Sequence, residues 1–378
     1  MKKIKLGELC KPSAGQIKED SDKLIDYIDI SSVDNETKKV TGYQTIAFRD
    51  APSRARKMVK RGSILVSTVR PNLNAVAMLE DDTPNITIAS TGFCILDCKE
   101  NANNRFIFNF CKSRAFIDDM VSQATGASYP AVSDKIVRSA LVPDYSYEEQ
   151  CKISEVLDRL SAVIDNRKAE LSALDELIRA RFVEMFGNCK NMISMSELCS
   201  IITDGTHQPP KFQDTGIPFI FVSNLANNTV TYNAEKFISE EAYNELYKRT
   251  PIETGDLLLS TVGSYGHPAV VVEDTKFLFQ RHIAYLKPKK ELINSFYLHS
   301  ALLAPDCQRQ IEERVKGVAQ KTLNLSEIRK IMIPVPNMEG QNVFVDFIHQ
   351  VDKSKDSVQK ALDEAQLLFD SLMQQYFG

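Results

Sequence analysis

Two short stretches of the chain are nearly identical: "GSILVSTVRP" at residues 62–71 and "GDLLLSTVGS" at residues 255–264. In each stretch a glycine precedes a run of apolar residues, which predicts a buried strand. Both stretches keep "STV" and differ directly after it. We interpret the shared strand as scaffold and the residues behind it as positions at which two copies of one domain could differ in recognition.

Further matches extend this repeat along the chain. "GELC" at 7–10 matches "SELC" at 196–199, and the offset between later matches settles at 191 residues. The later matches pair Gly126 with Gly317, Pro143 with Pro334, Gln150 with Gln341, and Phe186 with Phe377. The order of these matches predicts two tandem copies of a unit of about 190 residues.

Composition limits the class of protein. The 378 residues are 43% hydrophobic and 25% charged, which is typical of a globular protein with room for two domains. No apolar run approaches the roughly 20 residues of a spanning helix, so we expect a cytoplasmic protein without a membrane partner. The eight cysteines form no CxxC pair, so neither a disulfide framework nor a metal site is expected. The net charge of -4 excludes neither a protein nor a nucleic-acid partner.

Each copy divides into a globular front and a helical back. Short β-branched runs mixed with helical stretches predict an α+β fold for the front. Proline in "LVPD" and "PVPN" ends the front, and a long helix follows. We expect Gly126 and Gly317 to cap helices. The predicted domains are a first recognition domain (1–145), a central helical spacer (146–188), a second recognition domain (189–336) and a C-terminal helical spacer (337–378).

Apolar residues recur in both helices at alternating steps of four and three, over about five heptads. This seam predicts that the two helices pair as an antiparallel coiled coil of roughly 50 Å, with one recognition domain at each end of a pseudo-two-fold dumbbell. Arg167, Arg181 and Lys355 interrupt the pattern. The seam residues are Ile153, Leu157, Leu160, Ile164, Leu171, Leu174 and Ile178 in the first helix, and Phe344, Ile348, Val351, Val358, Leu362, Phe369 and Leu372 in the second.

Two similar modules on a rod of this length suit duplex DNA, which presents the same groove face about every 34–36 Å. Because the modules share a framework but differ in their loops, the two half-sites should differ in sequence. The predicted target is therefore bipartite and asymmetric.

The chain resembles the specificity subunits of type I restriction-modification systems over essentially its whole length. The resemblance rests on the two quoted stretches, "STGFCIL" (90–96), "DGTHQPPKFQDTGIPFIFVSNL" (204–225), "GVAQKTLNLSEIRKIMIPVP" (317–336) and the "P-x-x-x-x-E-x-Q" start of each helix. The first copy lacks a counterpart of "DGTHQPP", and its Tyr129 stands opposite Gln320.

The resemblance implies a non-catalytic reader of double-stranded DNA. It also implies that the helices set the spacing between half-sites and dock two adenine methyltransferase subunits, with ATP-driven restriction and translocase subunits in the larger complex. S-adenosylmethionine and ATP would be bound by those partners, and no cofactor is expected in this chain.

The residues themselves indicate candidate DNA contacts. Seven basic residues against one acid between 48 and 70 form a positive segment suited to phosphates. Arginine, asparagine and other polar side chains in the loops could contact bases. The candidates are Arg54, Arg56, Lys57, Lys60, Arg61, Arg70, Asn72, Asn74 and Tyr129 in the first copy, and Thr206, His207, Gln208, Lys211, Tyr265, His267, Arg281, His282, Gln320 and Lys321 in the second.

An enzyme is the main competing class. The chain contains no GxxxxGK[ST] phosphate loop, no GxSxG motif and no HExxH pair. All five histidines lie in the second copy, whereas a duplicated hydrolase would need its base twice. A coiled-coil scaffold with two protein-binding domains and no DNA contact is the remaining alternative, and salt-sensitive DNA binding would separate it from a DNA reader.

Overall fold

A computed structural model describes residues 2–12, 17, 21–317 and 321–378. The chain divides into two compact units, which we call unit 1 (Met1–Lys168 with Lys360–Gly378) and unit 2 (Ala169–Gln359). Within the described ranges, no helix combines the length and the apolar character needed to cross a bilayer.

Unit 1 consists of small sheets and short helices. Its strands are β1 (Lys3–Lys5), β2 (Leu24–Ile28), β3 (Gln44–Ala47), β4 (Ala55–Met58), β5 (Ile64–Ser67), β6 (Val76–Met78), β7 (Ile86–Ser90), β8 (Phe93–Leu96) and β9 (Leu141–Pro143). Its helices are α1 (Leu6–Leu9), α2 (Asn104–Lys112), α3 (Arg114–Gln123), α4 (Asp134–Ser139) and the first part of α5 (Tyr147–Phe186). The sheets have the orders β3-β2-β7-β4, β6-β5-β8 and β1-β9.

Unit 2 repeats this plan. Its strands are β10 (Met192–Ser194), β11 (Cys199–Asp204), β12 (Ile217–Ile220), β13 (Phe237–Ile238), β14 (Leu257–Ser260), β15 (Pro268–Val270), β16 (Leu278–Phe279), β17 (Ile283–Pro288) and β18 (Met332–Pro334). Its helices are α6 (Met195–Leu198), α7 (Glu240–Leu246), α8 (Ser295–Leu303), α9 (Pro305–Arg314), α10 (Leu325–Ile328) and the first part of α11 (Met338–Phe377). The sheets have the orders β11-β17-β14-β15, β13-β12-β16 and β10-β18.

The quoted repeats form the central strands of equivalent sheets. β5 lies between β6 and β8, and β14 lies between β15 and β17, with antiparallel pairing throughout. Every residue of both central strands is buried, which explains why both copies keep an uninterrupted apolar run. Gly62 and Gly255 precede the strands at φ +85° and +95°, a backbone conformation that favours glycine. The predicted mixture of helix and sheet is confirmed.

A buried glutamine joins each long helix to the sheet domain before it. Gln150 accepts a hydrogen bond from the backbone N–H of Asn103 at 2.9 Å, and Gln341 accepts the same bond from Asn294 at 2.8 Å. Asn103 and Asn294 are the N-caps of α2 and α8. Each glutamine therefore ties the start of one helix to the start of another.

The starts of α5 and α11 are capped differently. Ser146 and Glu149 form a capping box, in which the Glu149 carboxylate accepts the backbone N–H of Ser146 at 2.8 Å. Gly340 stands at the Glu149 position in α11, and there the Asn337 side chain accepts the Gly340 N–H at 2.9 Å. Both solutions satisfy backbone donors in the first turn, so the two sequences need not match here.

Each long helix begins in one unit and ends in the other. In unit 2, Phe182 of α5 lies 5.4 Å from Phe344 of α11, and Asp175 pairs with Lys355 at 2.7 Å. The later residue of α5, Phe182, contacts the earlier residue of α11, Phe344. The two helix segments are therefore antiparallel within unit 2. Lys355 and Arg181, two of the residues that interrupt the seam, have partners there: Arg181 lies over the Phe347 ring at 5.9 Å.

All predicted seam residues are buried or half-buried. The predicted domain boundaries and the complete coiled coil stay predictions. The expectation that Gly126 and Gly317 cap helices is wrong, because α3 and α9 end with C-caps at Ala124 and Val315. Both glycines lie two residues further on, at φ +102° and +104°, in the loops that return to the central strands.

Candidate nucleic-acid interface

The shared "STV" segment holds a second loop in each unit. In unit 1, the loop after α3 returns antiparallel to this segment: the Val132 N–H donates to the Thr68 carbonyl at 2.8 Å, and the Arg70 N–H donates to the Pro130 carbonyl at 2.7 Å. In unit 2, the Leu323 N–H donates to the Thr261 carbonyl at 2.8 Å. We call these two loop pairs the strand-end loops, comprising residues 68–74 with 124–132 in unit 1 and residues 261–267 with 315–317 and 321–323 in unit 2.

In unit 1 the strand-end loops bring a cation and a tyrosine together. The Arg70 guanidinium lies 5.0 Å from the centroid of the Tyr129 ring, and both side chains are exposed. Arg70 has φ +47°, which turns the chain sharply after the strand. Because the ring covers one face of the guanidinium, the donor edge stays free to meet a base or a phosphate.

Unit 2 builds a similar pair with the two partners exchanged between loops. Tyr265 comes from the segment after the strand, and Lys321 comes from the loop after α9, with its ammonium 5.6 Å from the ring centroid. The Lys321 ammonium also donates to the Tyr265 hydroxyl at 3.2 Å. Gln320 lies outside the described residues.

Unit 2 adds a carboxylate that the sequence prediction did not include. Glu312 accepts hydrogen bonds from the Tyr265 hydroxyl at 2.5 Å and from the Lys321 ammonium at 2.9 Å. These two donors, Tyr265 first, hold the pKa of Glu312 below its ordinary value, so the residue is ionised at neutral pH. The sequence repeat pairs Glu312 with Val121 of the first copy, at an offset of 191 residues. This change from an apolar residue to an acid is the sequence signal that could have pointed to Glu312.

The basic segment of unit 1 is only partly available to DNA. Lys60 and Arg61 are exposed. Arg54 pairs with Asp29 at 2.5 Å, and the Arg56 guanidinium lies 5.6 Å from the centroid of the Phe48 ring. A cation that already has a carboxylate partner contributes less to phosphate attraction, so Lys60 and Arg61 are the stronger candidates.

Two candidate DNA contacts of unit 1, Lys57 and Asn74, do not face solvent as expected. Lys57 has a side chain only 11% exposed and pairs with Asp134 at 2.6 Å. Asn74 is 7% exposed, and its side-chain amide donates to the Cys111 carbonyl at 2.9 Å. Both side chains hold the domain together, because each satisfies a polar group that burial would otherwise leave without a partner. Asn72, by contrast, is exposed.

In unit 2 a second polar cluster lies where β11 ends. The Arg281 N–H donates to the Thr206 carbonyl at 3.1 Å, which joins the "DGTH" turn to the segment before β17. His207 and Arg249 both contact Asp204 at 2.9 Å. Burial and the neighbouring Arg281 lower the pKa of His282, so this ring is predominantly neutral at pH 7.

The remaining candidates of unit 2 differ in exposure. Gln208 and Lys211 are exposed, and they extend the polar surface of the "DGTH" turn. His267 is half-buried, with its ring nitrogen 3.1 Å from the Asn228 side-chain oxygen. A histidine held in this way is better suited to orienting its loop than to making a free base contact.

These features define a class of protein: an α+β protein with two copies of one domain, in which similar backbone loops carry different side chains. Residues 190–366 match the family described as type I restriction modification DNA specificity domain. With this match, the resemblance of the chain to type I specificity subunits is confirmed.

Curated relatives carry the same description. The specificity subunit of the type I restriction enzyme EcoBI from Escherichia coli is 26% identical over 315 residues, which cover 74% of this chain and 66% of that protein. The MjaIX specificity subunit from Methanocaldococcus jannaschii is 21% identical over 319 residues, covering 78% and 72% of the two chains. The chain thus matches just under two thirds of the length of the Escherichia coli relative.

Solved structures share the fold. A chain from a structure of type I restriction-modification complex assembly and conformational transition aligns with a TM-score of 0.60 at 23% identity, covering 100% of this chain and 97% of that one. The type I restriction-modification S subunit from M. genitalium aligns with a TM-score of 0.56 at 13% identity, covering 100% and 96%.

Proposed function

We propose that this chain is the DNA sequence-specificity subunit of a type I restriction-modification complex. Each unit contacts one half of a bipartite, asymmetric duplex target in the cytoplasm. The chain itself carries out no chemical step. Its role is to place partner subunits, which bind S-adenosylmethionine and ATP, at a defined sequence.

One observation carries this proposal. The same backbone framework presents Arg70 beside Tyr129 in unit 1, but Tyr265 beside Lys321 in unit 2. A framework that is kept while its exposed side chains change is expected where two homologous units must bind different ligands. Because residues 190–366 match a family described as a DNA specificity domain, we infer that those ligands are two different base sequences.

In the proposed mechanism, one group of side chains positions the protein on the duplex and another group contacts the bases. Exposed cations such as Lys60, Arg61 and Lys211 contact phosphates and set the register of the protein on the duplex. Arg70 is suited to guanine, because a guanidinium donates two parallel hydrogen bonds to its O6 and N7. In unit 2 the side chains of the "DGTH" turn, with Arg281 and His282, take the corresponding role.

The long helices are proposed to pair along the predicted seam, to set the distance between half-sites and to dock two methyltransferase subunits. A target adenine in each half-site would then be rotated out of the duplex into the methyltransferase pocket. Restriction and translocase subunits would join the same assembly. The alternative of a protein scaffold without DNA contact is not favoured, because it gives no reason for a match to a DNA specificity domain.

The proposal is tested by mapping DNA methylation. The chain is co-expressed with the methyltransferase encoded beside it in a host without other adenine methylation, and methylated adenines are located by single-molecule sequencing. We expect a split, asymmetric motif that disappears when this chain is omitted. A continuous motif, or methylation that does not depend on the chain, would contradict the proposal and favour the scaffold.

A further inference from the structure

Glu312 stands out because it is an acid within a surface proposed to meet DNA. It lies on α9 and is exposed, with its carboxylate 2.5 Å from the Tyr265 hydroxyl and 2.9 Å from the Lys321 ammonium. Lys321 is one of the two lysines in the strand-end loops of unit 2, the other being Lys316. The charge of Lys321 is therefore compensated by a neighbour before any DNA arrives.

Unit 1 lacks this compensation. The 191-residue offset places Val121 of α3 at the Glu312 position, and Val121 is 44% exposed. Within the described part of the chain, no carboxylate forms an ion pair with Arg70. The loop pair of unit 1 thus carries one net positive charge, from Arg70. In unit 2, Glu312 compensates Lys321, and the exposed Lys316 is a second cation of the same loops.

The compensation of Lys321 changes what unit 2 gains from DNA at this position. Attraction between cations and phosphates is independent of sequence and supplies most of the non-specific affinity. A carboxylate that holds Lys321 reduces this attraction at every sequence, but at the correct sequence it also holds the Tyr265 hydroxyl in position for base contacts, so the net loss of affinity is smaller there. It also adds repulsion toward phosphates, so the contribution of correct base contacts to total binding becomes larger.

We infer that Glu312 is a specificity-determining residue of unit 2, and this inference rests on the proposed function. By compensating Lys321 and fixing the Tyr265 hydroxyl, it makes binding at the second half-site depend on the bases more than on the backbone. Unit 1 achieves recognition without such an acid.

The test compares three substitutions in the complete complex with the methyltransferase. Glu312→Val introduces the residue of the first copy, Glu312→Gln removes the charge while keeping a hydrogen-bonding group, and Glu313→Val removes the same charge from the next, exposed position of α9. Binding is measured by fluorescence anisotropy over a range of salt concentrations. The probes are a duplex with the methylation motif and duplexes in which one half-site is scrambled.

We expect both Glu312 variants to tighten binding to the duplex with a scrambled second half-site by about 3- to 10-fold, and to steepen the slope of log K against log[salt] by about 1. Discrimination against that scrambled duplex should fall, while discrimination at the first half-site is kept. Glu313→Val should change binding to all duplexes equally, with little change in discrimination.

Equal effects of the Glu312 and Glu313 variants, or unchanged discrimination in the Glu312 variants, would overturn the inference and leave the proposed function standing. Weaker binding of Glu312→Val to the correct duplex alone would also overturn it, since that result would make Glu312 a direct base contact. If the wild-type complex did not distinguish the correct duplex from the scrambled ones, the proposed function would fail together with this inference.

Discussion

The ring of Phe377 lies 5.1 Å from the ring of Phe106, at the point where the end of α11 meets α2 in unit 1. Unit 2 contains the equivalent contact between Phe186, at the end of α5, and Tyr297 of α8, also at 5.1 Å. Both pairs are related by the 191-residue offset of the sequence repeat. Each long helix therefore starts on one copy of the domain and ends in the core formed around the other.

Removing the ring of Phe377 or that of Phe186 should destabilise only the unit in which that ring is packed. Phe377 is 1% exposed, so Phe377→Ala leaves a cavity and should lower the free energy of unfolding by about 3–5 kcal/mol. Hydrogen exchange should speed up in α2 for this variant, and in α8 for Phe186→Ala. As a control, Leu367→Ala on the same helix should have little effect, because Leu367 is 73% exposed. Equal exchange changes in both units would contradict this assignment.

Arg70→Ala should impair recognition of one half-site only. The substitution removes the exposed guanidinium beside Tyr129, so methylation mapping should show a relaxed or weakened first half-site and an intact second one. Lys57→Met is the comparison, because Lys57 is paired with Asp134 inside the domain. It should lower stability without changing the motif. Equal loss at both half-sites in Arg70→Ala would mean that Arg70 is structural.

A charge placed in the helix seam should prevent assembly. Val351 is 6% exposed and Leu160 is half-buried, so a lysine at either position must be desolvated within the seam. We expect Val351→Lys and Leu160→Lys to lose co-elution with the methyltransferase in size-exclusion chromatography. Gln350→Lys, at an exposed neighbouring position, should assemble normally. Normal assembly of the seam variants would contradict the predicted pairing.

Lys112 should make stability depend on pH in the alkaline range. Its ammonium lies 4.5 Å from the centroid of Phe108, and burial lowers its pKa to about 8. Between that pH and the ordinary pKa of about 10.4, the unfolded chain binds more protons than the folded protein, so stability rises with pH. Lys112→Met should be more stable than wild type at pH 7, and this advantage should shrink by pH 10 in thermal denaturation. The exposed Lys135→Met should keep the wild-type pH profile.

Cys10 and Cys98 should form a disulfide on mild oxidation. They are opposite residues of an antiparallel bridge, flanked by the bonds Lys11 N–H to Asp97 O at 2.7 Å and Lys99 N–H to Leu9 O at 2.9 Å. This pattern is that of a non-hydrogen-bonded pair, with Cα atoms about 4.5 Å apart, which lies within the range that a disulfide requires. Oxidised glutathione should give one linked peptide pair in mass spectrometry. Absence of the Cys10–Cys98 link, or a link through Cys94, would contradict the pairing of Cys10 with Cys98 in this bridge.

Some structural roles were visible in the sequence only as motifs. Gln150 and Gln341 were recognisable as a repeated feature of the two helix starts, yet their task depends on Asn103 and Asn294, which lie 47 residues earlier in each copy. The basic segment was likewise recognisable by composition. Which of its cations faces solvent depends on acids such as Asp134, located 77 residues from Lys57.

The sequence by itself determined that the protein is a duplication, that each copy mixes helix and sheet, and that two long helices follow the domains. These properties are local or periodic, so they can be recognised along a single chain. Only the tertiary structure decided that Lys57 and Asn74 are internal, that Arg70 stacks on Tyr129, and that Glu312 compensates Lys321. Such outcomes depend on which distant side chains the fold brings within a few ångströms, since burial and partner charge set the availability of each polar group.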